Sequence, residues 1–125
     1  LTLEAQSGAL EHAKRPRELS EVGTADALGR LLIEASDRLD PAFGAPDLDE
    51  EIPLPVLVAW QAHCVGRLCA LGHHDQHDRR LYHFRNRHGF TDVADRAFAR
   101  LWSPEPLTYA QIQQLSDEAL AAQPA

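Results

Sequence analysis

The sequence has few cysteines, the residues that stabilise many small proteins through disulfide bonds. It contains two cysteines and no methionine among 125 residues. Two cysteines exclude a disulfide-rich scaffold. Cys64 and Cys69 are too far apart around a helix to share a metal ion or form a bridge, so we expect both to be small core residues. A chain of this length can bury about two-thirds of its surface, and we expect residues 1–125 to form a single helical domain.

Long apolar runs are also absent from the sequence. The longest, Leu54 to Trp60, has seven residues and includes a proline, whereas crossing a bilayer takes roughly twenty. We therefore expect no membrane span and a cytoplasmic protein. Because the sequence opens at Leu1 and has no methionine, we also expect its natural start, with any further N-terminal segment, to lie upstream.

The spacing of apolar residues predicts an all-α fold. No segment alternates β-branched and polar residues, and helical spacing is interrupted by proline and glycine. After a weakly helical segment at 1–13, Thr24 is predicted as the N-cap of a helix. The apolar stripe of that helix is expected to enter the core and consists of Leu28, Leu31, Leu32, Ala35 and Leu39. Residues 56–71 are apolar nearly all round, which is typical of a buried helix. We predict a compact bundle of five or six helices around a central apolar helix at about 55–72.

Short motifs mark where the other helices begin and end. Pro55 fits the first turn of the central helix, and Gly89 fits a C-terminal cap. Thr91 opens the next helix, while Thr108 and Gln111 match a capping box before the last one. The helices are expected to pack around Trp60, Leu68, Phe98, Trp102 and Leu115.

Charge is divided unevenly along the chain. Residues 1–59 carry a balance of −7, residues 60–100 carry +3, and residues 101–125 carry −3. Because DNA-binding domains are normally basic overall, this distribution makes DNA an unlikely partner. Much of the negative charge falls in an acidic loop at 40–53, which is longer than a usual connection between bundle helices.

Histidine is concentrated in one region, with six of the seven histidines between positions 63 and 88. Neutral imidazole is a common metal ligand, and ligands four positions apart share one face of a helix. His73 with His77, and His74 with Asp78, have this spacing. One alternative function is therefore a metal-binding helical protein with a zinc or iron site in segment 73–88. The competing interpretation is an exposed polar start of a helix, since H-E-x-x-H and C-x-x-C motifs are absent.

Arginine alternates with aromatic residues in segment 79–88, which suggests a third function, binding of an anion or RNA. The candidate residues are Arg79, Arg80, Arg85, Arg87 and His88. The competing interpretation places Phe84 in the core and the arginines on the solvated side of the helix.

We find no motif that supports naming an enzyme, since the sequence lacks a nucleophile elbow and a glycine-rich phosphate loop. The first prediction is a non-enzymatic protein–protein interaction module, such as an adaptor, inhibitor, chaperone-like factor or accessory subunit, with no predicted cofactor. Its charge-segregated surfaces would bind another protein or a second copy of itself. Protonation of six histidines would raise the charge of residues 60–100 from +3 to +9, so association is also expected to depend on pH.

Overall fold

The structure is a computed structural model that describes residues 17–72 and 75–124, with side chains from residue 25 onward. The described ranges contain five α-helices and no strand. They are α1 (Arg17–Leu39), α2 (Leu54–Ala70), α3 (His77–His88), α4 (Asp92–Trp102) and α5 (Tyr109–Ala121). This confirms the predicted all-α bundle. None of these helices is long and apolar enough to cross a membrane. The helix predicted at 1–13 lies outside the described residues.

Helix α2 lies at the centre of the bundle, as its apolar composition predicts, and all four other described helices pack against it. Pro55 lies in its first turn, and the helix ends two residues before Gly72, whose φ of +97° favours glycine. Side chains on all sides of α2 are buried, among them Val56, Trp60, Val65 and Leu68. Burial of such side chains contributes about 1.5–3 kcal/mol each, so α2 supplies much of the core.

The core is continued by side chains from α3, α4 and α5. Phe84, Phe98 and Ile112 are buried, and the ring centroids of Phe84 and Phe98 lie 5.6 Å apart. Of the five residues predicted to organise helix packing, Trp60, Leu68 and Phe98 are buried. The other two, Trp102 and Leu115, are only partly buried against this core.

The predicted caps at Gly89, Thr91 and Thr108 are confirmed. The hydroxyl of Thr91 accepts a hydrogen bond from the N–H of Ala94 at 3.1 Å. Thr108 and Gln111 form a complete capping box, in which each side chain accepts a hydrogen bond from the other residue's backbone N–H. Gly89 follows α3 with a φ of +95° and donates its N–H to the carbonyl of Arg85. Such cap motifs can be predicted from the sequence because the two residues of each hydrogen bond lie within four positions of each other.

Helix α1 begins earlier than its predicted cap. It starts at Arg17, so Thr24 lies inside the helix, and the prediction of an N-cap there is wrong. Residues 17–22 include good helix formers, Arg, Glu and Leu. A single interior glycine, Gly23, costs only about 1 kcal/mol relative to alanine and does not end the helix.

Three of the five residues in the predicted apolar stripe of α1 face outward, contrary to the prediction that the stripe enters the core, whereas Ala35 is buried and Leu31 is partly buried. Leu28, Leu32 and Leu39 are 42%, 57% and 71% exposed. On the side of α1 that faces α2, a Cβ at Gly29 would lie only 2.8 Å from Cδ1 of Leu68, and Ile33 packs against the core. A small residue thus allows α1 to approach α2 closely, while Leu28, Leu32 and Leu39 remain on the outside.

The acidic loop connects α1 to α2 and is anchored in the bundle by one aromatic side chain. Phe43 is buried, and its ring centroid lies 5.2 Å from that of Trp60. Its carbonyl accepts a hydrogen bond from the N–H of Tyr109 at 2.9 Å, which attaches the loop to the start of α5. The acidic side chains beyond Phe43 remain exposed.

Substitution of Gly66 by alanine is expected to destabilise the protein. A Cβ at this position would lie 2.6 Å from the backbone carbonyl oxygen of Trp102, so α2 and α4 would have to separate. We expect a loss of roughly 1–3 kcal/mol in the free energy of unfolding, measured by urea denaturation. Gly29→Ala is the matched control, because its close neighbour is the flexible end of a leucine side chain. An equal loss in both variants would contradict this assignment.

Candidate functional site

A buried carboxylate joins α1 to α2 and gives the interior its main polar cluster. Asp37 accepts two hydrogen bonds from Arg67, at 2.9 Å from Nη1 and 2.6 Å from Nη2. Oδ2 of Asp37 also accepts the indole N–H of Trp60 at 2.9 Å. Burial alone would lower the pKa of Arg67, but the hydrogen bonds and charge of Asp37 raise it above its ordinary value. The Arg67 guanidinium therefore remains protonated where it meets Asp37.

His63 lies beside this cluster and is held by backbone groups from the α4–α5 region. Its Nδ1–H donates to the carbonyl of Leu101 at 2.7 Å, and its Nε2 accepts the N–H of Leu107 at 3.2 Å. These two bonds fix the neutral tautomer, since Nε2 must be unprotonated to accept. Burial lowers the pKa of His63 further below 6.5. The His63 ring thus links α2 to the turn before α5 through two hydrogen bonds. Neither ring nitrogen is free to take up a proton from a substrate.

The two cysteines differ in their environment. Cys64 is buried, with its Sγ 3.7 Å from Nη2 of Arg67 and 3.9 Å from Oδ2 of Asp37. Burial raises the pKa of the Cys64 thiol far above its usual range, so it is a poor nucleophile. Its prediction as a small core residue is confirmed, whereas Cys69 is only partly buried.

Two cavities have volumes of about 320 and 300 Å³. Both are lined by Ser36 and Arg67; the larger also touches Leu71 and Pro104, and the smaller touches Asp40. The larger cavity has mainly apolar walls, whereas Asp37 and Thr108 also line the smaller one, so a ligand there would meet carboxylate and hydroxyl groups. The arrangement holds a fixed ion pair, a neutral imidazole and a protonated thiol, and none of these three is poised for acid–base or nucleophilic chemistry.

The predicted metal ligands are only partly described by the structure, because His73 and His74 lie outside the described residues. Helix α3 begins at His77, and Gln76 before it has a non-helical backbone. Nδ1 of His77 lies 3.0 Å from a carboxylate oxygen of Asp78. Within the described part of the chain, no three His, Cys, Asp or Glu residues could hold a metal ion together. The metal site remains a prediction.

The predicted anion-binding residues differ in exposure and in pairing. Arg79 and Arg87 are exposed. Arg85 donates two hydrogen bonds of 3.0 Å to Asp95, which hold the pKa of Asp95 below its usual value. Arg80 is partly buried.

His88, the fifth predicted contact, is fully buried and does not lie on the surface with the arginines. Its Nδ1–H donates to the carbonyl of Phe84 at 3.2 Å, and its Nε2 accepts the hydroxyl of Ser116 at 2.7 Å. Burial lowers its pKa. With His63 and His88 both held neutral, protonation would raise the charge of residues 60–100 to +7 at most, rather than the predicted +9.

Sequence reasoning missed the exposed leucines and the buried carboxylate behind them. Leu28, Leu32 and Leu39 fall within about 40° of one another around the α1 axis, and Asp37 lies roughly half a turn away from Leu28. A stripe of leucines is usually taken as the buried face of a helix. Gly29 was the available signal, because a small residue at a helix crossing indicates the side of closest approach.

Comparisons with known proteins found no matching family model, no matching curated protein and no matching solved structure. The function is therefore inferred from the residues and their geometry.

Removing the Asp37 carboxylate is expected to destabilise the fold strongly. Asp37→Ala would leave the Arg67 guanidinium and the Trp60 N–H without their partner, at a cost of roughly 3–5 kcal/mol by denaturant unfolding. Asp95→Asn, which breaks an exposed ion pair, is the control and should cost much less. In a double-mutant cycle, the variant that carries both Asp37→Leu and Arg67→Leu should lose far less unfolding free energy than the sum of the two single losses. Additive losses would show that the pair does not act as a unit.

Stability is expected to fall as the solution becomes acidic. His63 and His88 have folded-state pKa values below the ordinary 6.5, so the unfolded chain takes up protons before the folded one does. Their contribution is complete above about pH 6.5 and is lost as pH falls, by up to about 1.4 kcal/mol per pH unit for each histidine. Unfolding free energies measured between about pH 8 and pH 5 should show this slope. His63→Gln and His88→Gln should each reduce it, and a slope unchanged in both would contradict the assignment.

Proposed function

We propose that this chain is a non-enzymatic protein–protein interaction domain that binds a partner through the outward side of α1. The leucine face, defined as Leu28, Leu32 and Leu39, supports this most directly. Single exposed apolar side chains are common on protein surfaces, but a continuous apolar stripe is typical of an interaction site. These three leucines lie along one helix and expose 42%, 57% and 71% of their surface, so covering them with a partner would be favourable.

The acidic loop begins at the end of the leucine face and supplies the charge that favours one kind of partner. Leu48, 78% exposed, lies between Asp47 and Asp49, which are also exposed. Two further exposed carboxylates, Glu50 and Glu51, follow. An apolar stripe that leads into a dense acidic segment is complementary to an amphipathic helix with apolar side chains on one face and lysine or arginine beside them. We therefore assign the partner as a basic amphipathic helix of another protein.

The interior supports a binding role rather than a catalytic one. The polar groups of the α1–α2 interface hydrogen-bond to one another, with Asp37 bound to both Arg67 and Trp60. His63 uses both ring nitrogens for backbone groups. Such a network stabilises one arrangement of the helices and so presents the leucine face on a rigid support.

A synthetic peptide provides a direct test of the proposed surface. The probe is a labelled helical peptide with leucines at positions i, i+3, i+4 and i+7 flanked by lysines, with binding measured by fluorescence anisotropy. Leu32→Glu should weaken binding about tenfold or more, because a carboxylate would be buried against leucine. Its stability should change by less than about 1 kcal/mol, since Leu32 is exposed. Phe90→Glu is the matched control, because Phe90 is also exposed but lies between α3 and α4.

Salt, the charge of the peptide and the oligomeric state test the nature of the partner. Binding should weaken with added salt, and a peptide with glutamate in place of lysine should bind far less well. Equal binding of Leu32→Glu and the parent protein would overturn the proposed surface. A solution mass of twice 13.9 kDa, reduced to the monomer by Leu32→Glu, would assign the leucine face to a second copy and contradict the proposed basic partner.

A further inference from the structure

The smaller of the two cavities contains a carboxylate whose charge is not balanced. Asp37 and Arg67 both line this cavity, and they neutralise each other through two hydrogen bonds of 2.9 and 2.6 Å. The third charged residue of the wall is Asp40, which is exposed. Among the described residues, its carboxylate accepts only the backbone N–H of Ala42, at 3.0 Å, and forms no ion pair. The cavity therefore keeps a net negative charge.

The two helix ends at this cavity also favour a cation. Asp40 directly follows α1, and the C-terminal end of a helix has a partial negative charge that repels a carboxylate and attracts a cation. The opposite wall includes Thr108, at the start of α5. An anion would need free N–H groups there, but those of Thr108, Tyr109 and Gln111 are already hydrogen-bonded within the protein. A positively charged ligand is therefore the better fit.

The rest of the cavity wall suits a primary ammonium group on an aliphatic stem. Ser36 and Thr108 supply hydroxyl groups, which add two oxygen acceptors to the carboxylate of Asp40. An ammonium group carries three N–H donors that rotate to meet such acceptors, whereas a guanidinium group presents a rigid planar fork. Phe43 and Leu107, both buried, provide apolar wall for methylene groups. The volume of about 300 Å³ is at the lower end for ligand pockets, as expected for one small group.

The smaller cavity also adjoins the leucine face. Ser36 lines the cavity and is exposed on α1, four residues after Leu32 and three before Leu39. Residues at these separations are neighbours on a helix surface. Ser36 lies about 40° from Leu32 around the helix axis, in the direction of Gly29, which faces α2. A partner helix on the leucine face would thus place a flanking basic side chain beside the cavity.

We propose that the smaller cavity binds the ammonium group of a lysine side chain from the partner helix. The identity of the partner rests on the proposed function, whereas the affinity of the cavity for an ammonium group does not. The acidic loop attracts a basic helix at longer range, and Asp40 holds one of its lysines at a defined place. This contact fixes how the partner helix lies along the leucine face.

Titration of the full chain with butylammonium chloride tests the cavity without the partner. Binding is followed by NMR chemical shifts, with sodium chloride used to keep ionic strength constant. Asp40→Asn should weaken binding about fivefold or more, because it removes the unbalanced charge. The asparagine keeps an oxygen that can accept the N–H of Ala42, so the fold should be retained. Asp117→Asn is the matched control, because it removes the same charge from an exposed position on α5, and it should bind butylammonium like the parent.

The lysine peptide that probes the leucine face tests whether the partner supplies the ammonium group. Asp40→Asn should weaken peptide binding about fivefold or more, whereas Asp117→Asn should change it by less than about twofold. A peptide with arginine in place of every lysine keeps the charge but not the ammonium group. It should bind the parent more weakly than the lysine peptide does and should depend little on Asp40.

The outcomes separate the cavity from the leucine face. The ammonium site is overturned if the parent shows no saturable binding at millimolar butylammonium, or if Asp40→Asn and a second variant, Ser36→Ala, both bind it as tightly as the parent. Butylammonium binding that depends on Asp40, with peptide binding unchanged in Asp40→Asn, would overturn the assignment to a partner lysine and indicate a free amine. If Leu32→Glu binds the peptide like the parent while Asp40→Asn weakens butylammonium binding, the proposed function fails and the ammonium site stands.

Discussion

The orientation of α1 on α2 depends on the buried carboxylate of Asp37. A carboxylate out of water must be fully paired, and both of its oxygens are bound by Arg67, with Trp60 adding a third donor. Rotation of α1 about its axis would leave three buried groups without partners. Once Asp37 points inward, the leucines about half a turn away must point outward, so the exposed apolar surface is a consequence of the buried ion pair.

Two buried histidines also join helices through hydrogen bonds between buried polar groups. His63 connects α2 to the segment before α5, and His88 connects α3 to Ser116 of α5. Each neutral ring donates once and accepts once, which satisfies it without any charge in the interior. The histidine-rich segment of the sequence is therefore not one functional unit, because His63 and His88 serve the fold while His77 and His83 remain toward the surface.

Helix α1 has two sides of opposite character. Its outward side carries the leucine face, which continues into the acidic loop that Phe43 anchors. Its inner side carries Asp37, which is paired with Arg67. The proposed partner surface therefore depends on how this ion pair orients one helix.

The sequence by itself determined the helices, most of their ends and the central position of α2, because these depend on residues within one or two turns of each other. The caps at Thr91 and Thr108 and the apolar composition of α2 are signals of this kind. Only the tertiary structure decided which side of α1 is buried, which histidines are neutral and where Arg80 lies. The partners of Asp37 are 23 and 30 positions away, and Leu107 is 44 positions from His63. Pairing of buried polar groups over such distances is not encoded in local spacing, so it overrode the usual inference that a leucine stripe faces the core.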